Sequence, residues 1–210
     1  MNIQEKVKEI IRILKKEYPD LRTALNFNNP FELLVSTILS AQTTDAHVNK
    51  VTDTLFKKYR SVKDYANVSI ETLQKDVSSI NFYKTKAKNI HECAKIIVEK
   101  FNSKVPKTMD ELISLPGVAR KTANIILSNA YGINEGIAVD THVKRLSYRL
   151  GLTKNEDPVK IERDLMAITP PGEWGNLSHL LIFHGRKICQ AKKPIHKECI
   201  LYDICPSRNI

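Results

Sequence analysis

LPGVARKTANIIL, residues 115–127, is the stretch on which the reading of this chain turns. Pro116-Gly117 breaks two helical patterns with a tight hairpin, and the second pattern resumes at once through Ala123, Ile126 and Leu127. A turn that enters a helix so abruptly leaves backbone N–H groups unpaired at the helix start. Aimed outward, they suit a phosphate and read no sequence. An ordinary helix–turn–helix connection gives the same pattern, so these residues alone leave both readings open. Lys121 falls in the first turn of the second helix, next to Arg120 and at the positive end of the helix dipole. That setting makes it a candidate Schiff-base nucleophile, with a solvated lysine as the plain alternative.

Outward from the hairpin the periodicity stays helical. Val7, Ile10, Ile11 and Leu14 repeat at helical spacing until Tyr18-Pro19 ends the pattern. Asn29-Pro30 supplies a cap and a first-turn proline for a second helix through Leu39. Further helices are expected over 45–59, 69–76, 84–101, 108–114, 119–131, 141–150, 158–168 and 174–183. Thr108 and Glu111 stand at capping-box spacing, and Asp157-Pro158 is another helix start. No segment alternates at period two for long enough to need a sheet, so the expected fold class is all-α. The 210 residues suit one large domain or two small ones, and a hydrophobic fraction of 42% excludes a disordered tail protein. Apolar runs such as Leu33 to Leu39 fall far short of the roughly 20 residues of a membrane span. The opening MNIQEKVKEIIRIL has charges at helical spacing and no signal-peptide core, which sets the expectation of a cytoplasmic protein.

Thirty-three Lys and Arg against 23 Asp and Glu give a net charge of +10, which points to a polyanionic partner. Basic stretches fall beside the turns: Lys84, Lys86 and Lys88; Arg120 and Lys121; Lys144, Arg145 and Arg149; and Arg186, Lys187, Lys192, Lys193 and Lys197. Singly each reads as a solvated face; together they fit a surface that tracks phosphates. Asp140, in Val139-Asp140-Thr141-His142, precedes an amphipathic helix carrying Val143, Leu146 and Leu150. It is a favoured helix cap, and a capped carboxylate has a fixed direction from which it could stabilise an oxocarbenium ion or move a proton. Cys93, among Ile90, Ala94, Ile97 and Val98, reads as a buried core thiol. Cys189, Cys199 and Cys205 crowd near the C-terminus, which in a reducing compartment reads as a metal site rather than a disulfide framework.

Taken in order, LLVSTILSAQTTD at 33–45, NFYKTKAKNI at 81–90, the hairpin at 115–127, VDTH at 139–142 and HGRKIC at 184–189 resemble the endonuclease III family of helix-hairpin-helix DNA glycosylases. The resemblance implies a six-helix barrel domain at 22–134 and a second helical domain from 1–21 and 135–210. It implies excision of oxidised pyrimidines from double-stranded DNA, followed by strand cleavage at the abasic site; a monomer is the default expectation, as nothing in the sequence suggests an extra interface. Lys121 matches the family's Schiff-base lysine and Asp140 its catalytic aspartate. Gln42 and Phe82 match residues that fill the gap left by an extruded base, although Phe82 alone would read as a core aromatic. Gly117, Ala119 and Arg120 match the DNA-binding hairpin, with Ala119 where glycine is usual. Asn81 stands where many relatives have glycine, and is the next-best residue for positive φ. A mismatch uracil/thymine glycosylase is the alternative that Lys121 disfavours. A non-catalytic helix-hairpin-helix module is the other, and Lys121 with Asp140 argues against it.

The family's C-x6-C-x2-C-x5-C pattern holds a [4Fe–4S] cluster, and here it reads Cys189, His196, Cys199 and Cys205. Four thiolates suit such a cluster and imidazole replaces thiolate in some iron–sulfur centres. Three Cys and one His also make a tetrahedral zinc set, and loss of the metal is the third possibility. Lys192 and Lys193 lie between the first two ligand positions, where the family's loop presses basic residues on the DNA backbone.

Overall fold

The computed structural model describes residues 2–19 and 23–208; the expected domain boundary at 21/22 lies outside them. Helices dominate and no strand occurs among the described residues. The chain forms two compact units, residues 23–133 and residues 1–22 with 134–210.

The first unit is built round α2, Pro30–Ser40. Asn29 caps it by accepting from the Glu32 N–H, and Pro30 opens it where a missing N–H costs nothing. Leu33 through Leu39 are all buried, so this helix is hidden on every side rather than along one stripe. Its two buried hydroxyls stay satisfied, Thr37 donating to Leu33 O at 2.7 Å and Ser36 to Asn26 O at 3.3 Å. Packed on α2 are α3 (Asp45–Lys58), α6 (Tyr83–Lys100) and α8 (Arg120–Tyr131). α4 (Val62–Asn67) and α5 (Ile70–Asp76) lie on α6, and α7 (Met109–Ile113) on α8. Sequence periodicity gives no helix over 62–67, because that helix is too short to show a repeat. Its Ser61/Asp64 capping box was the legible signal.

In the second unit α1 (Ile3–Glu17), α9 (Thr141–Arg149), α10 (Pro158–Ile168) and α11 (Trp174–Lys187) share one core. Val7, Ile10, Ile11 and Leu14 meet Val143, Leu146, Ile161, Leu165, Leu177 and Leu181. Each such side chain, taken from water, contributes about 1.5–3 kcal/mol. Polar ties fix the ends: Lys6 Nζ donates to Leu150 O at 2.7 Å, and Ser178 Oγ to Ala138 O at 2.7 Å. α11 runs to Lys187, beyond the expected end at 183, since Leu180, Leu181 and His184 remain core-facing. No helix among the described residues is long and apolar enough to cross a membrane.

Candidate active site and metal-ligand loop

In the first unit, two loops gather on one face of the N-terminal half of α6, the face bearing Lys86, Asn89 and Cys93. This spacing puts them in one row. The hairpin rests on the last two. Cys93 is fully buried and its Sγ donates to Pro116 O at 3.1 Å; burial pushes this thiol up to about 12, so it is a structural and unreactive group. Gly117 takes φ +75°, and a Cβ there would overlap Asn89 Nδ2 and stand 3.0 Å from Asn89 Cγ. Glycine is thus required twice over, by backbone and by space. Val118 N closes the turn on Leu115 O at 3.1 Å, and the buried Val118 pins the hairpin to the core.

Ala119 is the N-cap of α8 at φ −91° and ψ 168°, ordinary extended backbone, so alanine in place of glycine costs no strain here. It supplies no capping side chain, so the first N–H groups of α8 are left without that partner. Arg120 and Lys121 are exposed in the same turn. Every other α-helix of this unit except α6 has a side-chain cap. The two uncapped starts are those of the hairpin helix and of the helix that follows Phe82.

Phe82 is 65% exposed, at the N-cap of α6 with φ 57°. The left-handed residue of this turn is therefore Phe82, not Asn81 as the comparison with glycine suggested. Asn81 instead uses its side chain, donating from Nδ2 to Gln42 O at 2.7 Å. Gln42 is exposed and also left-handed, at φ 54°. The fold thus brings Gln42 against Asn81, the neighbour of Phe82, from a distant part of the sequence. Lys86, grouped above with Lys84 and Lys88 as a phosphate contact, is only 6% exposed and directs its ammonium to the loop leaving α2. Burial lowers its pKa.

The second unit holds Asp140. Its Oδ1 accepts from the N–H groups of His142 and Val143, both at 2.8 Å, which makes it the cap of α9 and leaves Oδ2 outside these bonds. Capping and chemistry are compatible here, because the cap uses one oxygen and aims the other. Burial lowers the pKa of the next-but-one residue, His142, against the pull of the Asp140 charge.

The C-terminal loop is latched by α9. Arg145 donates to Cys189 O at 3.0 Å and Gly185 O at 2.9 Å; Arg149 donates to Gln190 O at 2.8 Å and Ala191 O at 3.0 Å. Both guanidinia are thus engaged by the backbone of the loop, a use that the reading of 144–149 as a basic stretch did not contain. Sequence alone gave no signal of the latch. Gly185 allows it, since a Cβ there would come within 2.9 Å of Leu146 and 3.1 Å of Arg145. His184 is buried, with Nδ1 3.2 Å from Tyr18 Oη and Nε2 3.4 Å from Cys199 Sγ; burial holds its pKa down to about 4.

Cys189, His196, Cys199 and Cys205 all line one small cavity with Arg149, Pro194 and Tyr202. Arg149 Nη1 reaches Cys189 Sγ at 3.3 Å, and burial raises the pKa of the Cys199 thiol. Among the described residues no three His, Cys, Asp or Glu side chains converge on a single ion position. Lys192 and Lys193 are exposed between the first two donors.

The HhH-GPD superfamily base excision DNA repair protein family matches residues 35–171. Endonuclease III of Synechocystis sp. is 50% identical over 204 residues, covering 97% of this chain and 93% of that protein. Endonuclease III of Bacillus subtilis is 48% identical over 189 residues, 90% of this chain and 86% of that one. Among solved structures, a trapped endonuclease III–DNA covalent intermediate superposes with a TM-score of 0.92 at 43% identity, covering 99% of this chain and 98% of the other. A thermostable thymine-DNA glycosylase shares the fold, with a TM-score of 0.87 at 22% identity over 97% of each chain. With the helical fold, the glycine-dependent hairpin and full-length likeness at this identity, the chain belongs to the endonuclease III family within the HhH-GPD superfamily of base excision DNA repair proteins.

Proposed function

We propose that this chain is a bifunctional DNA glycosylase and abasic-site lyase that removes oxidised pyrimidines from double-stranded DNA, acting as a monomer. The full-length identity to proteins named endonuclease III carries this reading. The exposed Lys121, at the start of a helix without a side-chain cap and behind a hairpin that only glycine can make, supports it from the chain itself.

The damaged nucleotide is extruded from the duplex. Gln42, with donor and acceptor on one amide, faces the orphaned base, and the Phe82 ring stacks in the gap. The backbone N–H groups around Gly117 and Ala119, together with Arg120, hold the phosphates. Lys121 Nζ attacks the sugar C1′; the C1′–N bond breaks, and the base leaves with the electron pair and takes up a proton. Asp140 Oδ2 stabilises the positive charge growing on the sugar, and the proton shed by Nζ goes to the leaving base. Ring opening gives an iminium between Nζ and C1′, which acidifies the C2′ proton. Loss of that proton expels the 3′ phosphate by β-elimination, and water then releases Lys121.

Cys189, His196, Cys199 and Cys205 would hold a [4Fe–4S] cluster as its ligands: all four line the same small cavity, three are thiols, and imidazole replaces thiolate in some iron–sulfur centres. When bound, the group stabilises the loop that carries Lys192 and Lys193; the Arg145 and Arg149 latch holds the same loop from the protein side. Anaerobic purification with iron, sulfide and zinc analysis tests this. Iron and sulfide near four each per chain are expected; stoichiometric zinc refutes it.

The activity is tested by borohydride trapping on a thymine-glycol duplex. A covalent adduct that disappears in Lys121→Ala is expected. No adduct, or one undiminished by that substitution, overturns the reading.

A further inference from the structure

We infer that Lys86 and Asn81 are positioning residues that lock two loops together, so that Gln42 and Phe82 meet the duplex as a preset pair. This rests on the gap-filling reading of Gln42 and Phe82 proposed above. Two non-glycine residues in left-handed backbone, brought within one hydrogen bond of each other, persist only where their surroundings over-determine them. The surroundings here are two side chains. Lys86 Nζ donates to Leu39 O at 2.8 Å, Ala41 O at 2.5 Å and Thr43 Oγ1 at 3.3 Å, which engages all three ammonium donors on the segment that brackets Gln42. Asn81 Nδ2 takes Gln42 O itself and, being next in sequence to Phe82, ties the two left-handed residues directly. His47 Nε2, in the first turn of α3, lies 3.0 Å from Ser79 O and ties that helix to the loop that ends at Phe82.

Structure alone does not require this arrangement. Helix α2 could end on water or an apolar residue, whereas an ammonium buried with carbonyl and hydroxyl partners among its contacts has been desolvated to hold one loop shape. A loose pair would have to be ordered each time a nucleotide is extruded, so fixing it beforehand removes that cost from the step that opens the duplex. Lys86 acts from inside, through Gln42, and touches no phosphate.

The test uses full-length Asn81→Ala and Lys86→Met. One substrate is a duplex carrying a thymine glycol. A second is single-stranded DNA with an abasic site, which has no opposite base to be orphaned. A third duplex places 2-aminopurine opposite a tetrahydrofuran abasic analogue. Single-turnover excision from the duplex should fall about tenfold in each variant, while borohydride trapping on the single strand stays within about twofold of wild type. The 2-aminopurine response on binding should shrink, and the salt dependence of binding should not change, because no phosphate contact is lost. Duplex excision that is unaffected, or that falls in parallel with single-strand trapping, overturns the inference. Asn81 is exposed, so its variant decides the matter should Lys86→Met fail to fold. If wild-type protein traps neither DNA, the lyase reading fails, and the 2-aminopurine signal alone then decides: loss in Asn81→Ala supports the locked pair, and an unchanged response refutes it.

Discussion

Gly117→Ala isolates what the hairpin demands of its sequence. Two costs arise together. A Cβ at φ +75° meets the usual penalty for left-handed backbone, about 1–2 kcal/mol. It also overlaps Asn89 Nδ2 and lies 3.0 Å from Cγ and 3.2 Å from Cβ of the same residue, so turning the amide does not clear it. Asn89 is half-buried and can shift partly, which places the steric cost at the low end of overpacking, about 1 kcal/mol. The sum is about 2 kcal/mol, or about 4–8 °C in Tm for a chain of this size. Displacing the hairpin also costs a hydrogen bond to a charged phosphate, so affinity for an abasic-analogue duplex should fall about tenfold or more. Urea denaturation and fluorescence anisotropy read the two effects. Adding Asn89→Ala removes the two closest contacts and leaves the backbone penalty, so about half the stability should return. A loss under about 0.5 kcal/mol in Gly117→Ala, or no recovery in the double variant, refutes the reasoning.

Asp140→Asn keeps a good cap and should cost under about 0.5 kcal/mol in thermal denaturation, whereas Asp140→Ala loses the two cap bonds and about 1 kcal/mol; single-turnover excision should fall at least a hundredfold in both. Equal destabilisation by the two substitutions, or excision that survives Asp140→Asn, overturns this division between cap and chemistry. Lys192→Ala with Lys193→Ala should reduce the slope of log K against log salt by about 1.8, for two released phosphate contacts, in titrations at several salt concentrations. Hydrogen bonds from Thr153 and Asn155 lower the Asp164 pKa below its unfolded value. That stability is present above about pH 4 and is lost as pH falls through the folded pKa. Thr153→Val should flatten the acid limb of stability measured between about pH 5 and 3, and an unchanged limb counts against the assignment.

Much of this protein was legible from its residues because the signals were local. Pro116-Gly117, the caps Asn29, Thr108, Asp140 and Asp157, and the apolar spacing of Val7 to Leu14 each describe a few consecutive positions, and local propensity and tertiary packing agree there. The order of motifs likewise carried the family. Sequence could not say which lysine of Lys84, Lys86 and Lys88 turns inward, because a four-carbon stem reaches solvent or core equally well until a neighbouring loop presents its carbonyls. Nor could it tell that Phe82 rather than Asn81 adopts positive φ, since that is set by the Gln42 carbonyl, distant in sequence, which claims the Asn81 amide. The Arg145 and Arg149 latch is of the same kind. Charge pattern fixes that a residue is cationic; only the packing of α9 against the C-terminal loop, through the space Gly185 leaves, decides whether that charge meets water, phosphate or the protein's own backbone.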